Sequence, residues 1–190
     1  VRVNDLSTGL TEDDLAAIMP ARPHGIMLPK CVGADDLMTA DTLLRVAEAE
    51  NGIADGATRI IPIVTETAQA VLALHSLSRP LPRLAGITWG AEDLSASIGA
   101  RTPREEAGGY TDLFRLARSL TLLAASACET DAVDTVYPDF RDGAGFVREC
   151  RAAERDGFTA KMAIHPDQVA AINEAFTPSP EAVGQAQAVI

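Results

Sequence analysis

The sequence predicts an α/β fold in which parallel strands alternate with crossover helices. Three observations carry that prediction. Apolar runs suited to strands alternate with helical patterns about six times along the 190 residues, as in repeated βα units. The runs are continuous rather than alternating, as expected of strands buried on both faces. The units recur about every 30 residues, close to one eighth of the roughly 250 residues of a (β/α)8 barrel. An open doubly wound sheet is the competing arrangement, and no Gly-rich phosphate loop of Rossmann or P-loop type follows any strand to support it. The expected architecture is therefore of the TIM (β/α)8-barrel type, with about six βα units in a single domain over residues 1–190. The chain opens without Met inside an alternating run, "VRVND", and closes inside a helical pattern, "AQAVI". Both ends read as cut, so the barrel is expected to be incomplete at each.

Taken in order, Val1–Asn4 reads as the first strand. Thr11 with Asp14 three positions later is a weak capping box that opens a helix through "DDLAAIM". "GIMLPK" is a short apolar strand ended by Pro29. Ala34–Gly52 reads as helix, one or two pieces, with Gly52 as its C-terminal cap. Arg59–Glu66 is a β-branched strand in which Pro62 is a misfit, because proline removes a ladder hydrogen bond and marks a bulge or a shortened strand. Thr67–Arg79 is helical, Leu84–Gly90 a strand, and Asp93–Ile98 a short helix. Tyr110–Cys128 is the longest helical pattern and Asp131–Tyr137 a strand. Ala144–Gly157 is an amphipathic helix closed by Gly157, and Phe158–His165 the last strand. Asp167–Phe176 and Pro180–Ile190 are helical.

Composition narrows the function classes. A net charge of -11 argues against nucleic acid or an anionic membrane as a main partner. Cys31, Cys128 and Cys150 are unclustered and lack metal-ligand spacing, which fits reduced thiols in a cytoplasmic protein. No run approaches the ~20 apolar residues of a membrane span.

In folds of this class, function collects at the C-terminal ends of strands. The residues expected there are Arg2 and Asn4, Lys30, Glu66, Glu92 and Asp93, Tyr137 and Asp139, and His165. Glu66 and Asp93 stand 27 positions apart, one βα unit, and would end neighbouring strands about 4.8 Å from each other. Two carboxylates so placed suit one Mg2+, which takes few protein ligands and keeps sites for water and substrate oxygens. Zn2+ would call for a Cys/His cluster. Arg2, on the same rim, can grip a carboxylate or carbonyl through its planar fork. Structural roles compete at each position. Glu66 could favour a helix N-terminus, Asp93 could be the N-cap after Gly90, Glu92 could face solvent, and Arg2 and Lys30 could form rim ion pairs. His24 and His75 read as structural, and His165 is undecided. No G-x-S-x-G elbow supports a serine triad.

Several segments in order resemble the HpcH/HpaI aldolase and citrate lyase β-subunit family of CoA-ester lyases. They are "VRVN" at 1–4, "GIMLPK" at 25–30, "ETAQAV" at 66–71, "GAEDLSASIG" at 90–99, "DTVYPDFRD" at 134–142 and "GFTAKMAIHPDQVAAINEAFTPSPEAV" at 157–183. The resemblance implies a Mg2+-dependent carbon–carbon lyase on a citryl-, citramalyl- or malyl-type CoA thioester, yielding an acetyl-CoA-type product and a keto acid. It implies Glu66 and Asp93 as metal ligands and Arg2 as the catalytic and substrate-gripping arginine. It also implies substrate contacts along Gly90, Ala91, Glu92 and Asp93, and at Tyr137 and Pro138 near the CoA arm. A cytoplasmic homo-oligomer, trimer or hexamer, is the expected assembly. The rival readings are a malyl-CoA-type thioesterase, a CoA-independent pyruvate aldolase, and a non-catalytic barrel remnant. Against the family pattern, the first two βα units and the C-terminal lid are expected to be missing, and Cys31, Val32 and Gly33 stand where relatives carry a Glu after "LPK".

Overall fold

The computed structural model describes residues 1–189. They form two compact units, Val1–Val133 and a second from Asp134 on.

In the first unit, strands and helices alternate along the chain. Helix α1 (Thr11–Ile18) precedes β1 (Gly25–Leu28), and α2 (Ala34–Glu50) leads to β2 (Arg59–Pro62). Helix α3 (Ala68–Ala73) precedes β3 (Gly86–Thr88), and α4 (Ala91–Ile98) and α5 (Asp112–Ala127) precede β4 (Asp131–Asp134). β1 and β2 pair in parallel with Gly25 opposite Arg59, and β3 and β4 pair in parallel with Gly86 opposite Asp131. Single parallel bridges, Ile60 to Leu84 and Ile63 to Thr88, join β2 to β3. Another, Arg2 to Met27, adds the first residues beside β1. The neighbours therefore run in chain order, which places their C-terminal ends along one edge. Leu28, Ile60, Val64, Ile87 and Trp89 are buried with Leu37, Leu44 and Phe114 of the helices. This aliphatic core is what a chain with 4% aromatics must build.

In the second unit, α6 (Gly143–Asp156) and α7 (Gln168–Phe176) pack on each other, with β5 (Ala160–Lys161) between them in sequence. The amide of Met162 donates to the carbonyl of Asp134 at 2.9 Å. The Lys161 ammonium is buried and satisfied, donating to Asp134 (3.1 Å), Glu149 (2.9 Å) and the carbonyl of Thr135 (2.8 Å). Helix α8 (Pro180–Val189) follows. Ile190, expected to end it, lies outside the described residues.

The alternation holds, but the strands are shorter than the apolar runs. No pairing closes a barrel among the described residues. Val1–Asn4 is only a bridge at Arg2. β2 stops at Pro62, which lacks an N–H; the ladder resumes when Ile63 donates to Leu28 at 2.9 Å. Between its two bridges, β2 contributes two residues where the β3 side contributes three, so the irregularity expected at Pro62 is present. Val64, Thr65 and Glu66 stay buried beyond the strand. Burial continues where pairing ends, and an apolar run reports burial. The expected long helix from Thr67 is instead α3 plus a 3-10 turn, Leu74–Ser76. α2 is a single helix capped at Asn51 rather than Gly52. No described helix is long and apolar enough to cross a membrane. All three cysteines are buried and unpaired.

Candidate metal and substrate site

The segment after β2 carries Glu66 into the fold with 6% of its surface exposed. The capping role open to it falls elsewhere: Thr67 is the N-cap of α3, its side chain accepting from the Ala70 amide at 3.0 Å. Glu66 Oε2 instead accepts the main-chain N–H of Lys30. Lys30 adopts φ +50, a left-handed conformation uncommon for a residue with a side chain, and that turn directs its amide at the carboxylate.

Gly90 ends the β3 segment. Its amide donates to Thr65 Oγ1 at 3.1 Å. A Cβ there would lie 2.8 Å from Glu66 Cγ, so only glycine lets the two segments approach this closely. Gly90 is also the N-cap of α4 and offers no side-chain cap, which leaves the first amides of that helix without one. Asp93 is thus not the N-cap. It stands in the first turn, exposed, as does Glu92.

Glu66 and Asp93 are close enough to repel each other. Burial first of all, and then the neighbouring Asp93, push the Glu66 carboxyl up from 4.5 to about 7; the Lys30 amide and ammonium oppose this without offsetting it. The pair is an electrostatic deficit that a cation would relieve. No cluster of three or more His, Cys, Asp or Glu suited to a metal occurs among the described residues. Two carboxylates with open positions fit the hydrated, octahedral chemistry of Mg2+ better than a closed zinc site.

Arg2 is exposed at the edge beside β1, in register with Met27. The structure thus brings Glu66, Gly90, Ala91 and Asp93 together in the first unit and sets Arg2 two strand positions away. Tyr137 and Pro138 belong to the second unit. There the Tyr137 hydroxyl donates to Asp142 at 2.8 Å, its carbonyl accepts from Gln168 at 3.0 Å, and Pro138 is exposed. His165 stacks on Phe140 with ring centroids 4.7 Å apart. Lys30, read as a rim ion-pair residue, does pair with Asp5 at 3.6 Å. Its main-chain contact with Glu66 was not legible, since no sequence pattern announces a lysine at positive φ. Thr65 was missed for the same reason: a buried threonine beside an apolar run reads as core.

The HpcH/HpaI aldolase/citrate lyase family model matches residues 1–166. The human mitochondrial citramalyl-CoA lyase is 35% identical over 204 residues, covering 100% of this chain and 57% of its own length. A citrate lyase subunit beta-like protein of Mycobacterium tuberculosis is 33% identical over 190 residues, covering all of this chain and 63% of the relative. The chain thus spans less than two thirds of these curated relatives. Among solved structures, CitE of M. tuberculosis in complex with magnesium and acetoacetate superposes with a TM-score of 0.80 at 30% identity, over 98% of this chain and 72% of that one. RipC of Yersinia pestis matches with a TM-score of 0.79 at 32% identity, over 96% and 78%. On this evidence of sequence and fold, the chain belongs to the HpcH/HpaI aldolase/citrate lyase family.

Proposed function

We propose that the chain supplies the metal and substrate site of a Mg2+-dependent carbon–carbon lyase acting on a hydroxyacyl-CoA thioester. The observation that carries this reading is the Glu66–Asp93 pair, a buried carboxylate and its acidic neighbour whose burial and repulsion the Lys30 amide and ammonium do not offset. Glu66 and Asp93 would hold the ion. When bound, Mg2+ supplies Lewis-acid polarisation of substrate oxygens. The amides at the start of α4, Ala91 to Asp93, have no side-chain cap and are donors of the kind that suits a keto-acid carboxylate. Arg2 grips the substrate carboxylate or carbonyl by a bidentate fork and stabilises the enolate that forms as the carbon–carbon bond breaks. Tyr137 and Pro138 are assigned to the CoA arm. The matched relatives support the substrate class: they are named citramalyl-CoA lyase, citrate lyase subunit beta and L-malyl-CoA/beta-methylmalyl-CoA lyase. In this reading residues 1–190 are one domain of the TIM (β/α)8-barrel type carrying about six of its βα units, in a cytoplasmic homo-oligomer whose three buried thiols stay reduced.

The test is a panel of citramalyl-, malyl- and citryl-CoA assayed with the full-length protein, with and without Mg2+. Keto acid and an acyl-CoA product are expected in the presence of the metal. Glu66→Gln and Asp93→Asn should each lower kcat/KM by about 100-fold or more and remove the response to Mg2+. Free thiol without keto acid would make the protein a thioesterase. Cleavage of free hydroxy-keto acids alone would make it an aldolase independent of CoA. No turnover of any of these would leave a non-catalytic remnant.

A further inference from the structure

Thr11 and Asp14 have the spacing of residues that cap their own helix, yet neither does so. The N-cap of α1 is Leu10, which makes no side-chain cap. Both side chains reach instead to one residue outside the helix. Asp14 Oδ2 accepts the main-chain N–H of Asn4 at 2.6 Å and its side-chain Nδ2 at 2.8 Å. Thr11 Oγ1 donates to the Asn4 carbonyl at 3.2 Å. Every polar group of Asn4 except its side-chain oxygen is therefore engaged by the first turn of α1. Asn4 stands two residues after Arg2.

The segment needs such a brace. Arg2 does not sit in a strand. Its backbone is held by one bridge, with Met27 donating to Val1 at 2.8 Å and Val3 donating to Met27 at 3.2 Å. Val3 is buried and the Val1 nitrogen donates to the Gly25 carbonyl at 3.1 Å, but Arg2 itself is exposed, and an exposed arginine loses conformational freedom each time it binds. Fixing Asn4 spends that entropy during folding rather than during binding.

We infer that Asp14 is a positioning residue for Arg2, acting through the clamp on Asn4. The inference rests on the proposed role of Arg2 in gripping a carboxylate. Asp14 touches neither substrate nor metal. Its removal therefore weakens the acid's grip and leaves the affinity for Mg2+ alone.

Calorimetry on the full-length protein tests this, with MgCl2 alone and then with pyruvate in saturating MgCl2. Asp14→Ala should weaken pyruvate about tenfold, the scale of one lost charge-assisted hydrogen bond, and leave Mg2+ affinity unchanged. Asp14→Asn keeps an oxygen for both donors and should recover most of the loss. In an Arg2→Ala background, Asp14→Ala should have no further effect, because it acts through Arg2. Equal weakening with and without Arg2, a parallel fall in Mg2+ affinity, or no change in pyruvate affinity would each overturn the inference. If Asp14→Ala does not fold, Asn4→Ala, which deletes one donor, decides by the same criteria. Absence of Mg2+-dependent pyruvate binding in the unaltered protein would instead sink the proposed function, and the inference with it.

Discussion

Glu48 and Glu66 are both buried glutamates in the first unit, and they are shifted in opposite directions. Burial alone would raise both. Around Glu48 it is outweighed: the Arg83 guanidinium donates to it at 2.8 Å, and the amides of Thr58 and Gly56 donate at 2.7 and 3.0 Å, holding its carboxyl below the usual range. Arg83 spends its remaining donors on Asp41, on Asp55 at 2.7 Å and on the Thr58 carbonyl at 3.2 Å. Around Glu66 the fold provides one main-chain N–H, a more distant ammonium and a second acid, and the carboxyl rises to about 7. The difference separates a structural charge cluster, complete in itself, from a site left short of one cation.

The largest effect that separates them is on stability. Arg83→Met strands the buried Glu48 carboxylate, leaves Asp41 with only Arg45, and should cost about 3–5 kcal/mol, read from urea unfolding. Glu66→Gln should cost less than about 1 kcal/mol or stabilise the metal-free protein, because it removes a repulsion. Equal costs would erase the distinction drawn between the clusters.

A smaller effect is expected at Gly90. Gly90→Ala puts a Cβ against Glu66 Cγ and should cost about 1–3 kcal/mol while weakening Mg2+ binding, measured by unfolding and by titration. Gly109→Ala, where a Cβ meets open space and φ, like that of Gly90, is not positive, is the control for the loss of glycine alone.

The smallest and most specific effect is on pH. With its pKa raised from 4.5 to about 7 in the folded chain, Glu66 keeps a proton that the unfolded chain has lost between those values. Its contribution to the stability of the metal-free protein is therefore present at low pH and falls as pH rises through that window. Glu48 behaves in the opposite sense: its stabilisation is present above the ordinary carboxylate range and is lost on acidification. Unfolding free energies measured from pH 5 to 8 without Mg2+ should carry a downward slope that Glu66→Gln flattens. Mg2+ affinity should rise over the same range, since the ion displaces the Glu66 proton. A slope unchanged by Glu66→Gln would assign the titration to another group.

Much of this site could be read in advance. Glu66 and Asp93 were singled out by asking which acids end neighbouring strands, and Gly90 entered through the family resemblance. The cap alternative for Asp93 could not be decided, because a residue at N-cap and one at the third position of a helix look alike until backbone angles are known. Thr11 and Asp14 illustrate the converse failure. Their spacing announced a cap, and their side chains serve Asn4, a partner that is distant in sequence from Asp14 by ten positions and that no local pattern names.

What the sequence by itself determined is the order of elements, the apolar core and the acids at the strand ends. These follow from periodicity and burial, which act over a few residues. Only the tertiary structure decided which of those acids lacks a cation, that Lys30 turns its amide towards Glu66, and that α1 braces the segment bearing Arg2. Each of these depends on groups brought together from beyond their own turn or helix, seven and ten positions apart for the α1 brace and 36 for Lys30 and Glu66. Their energies are set by distance and desolvation, and a linear sequence contains neither.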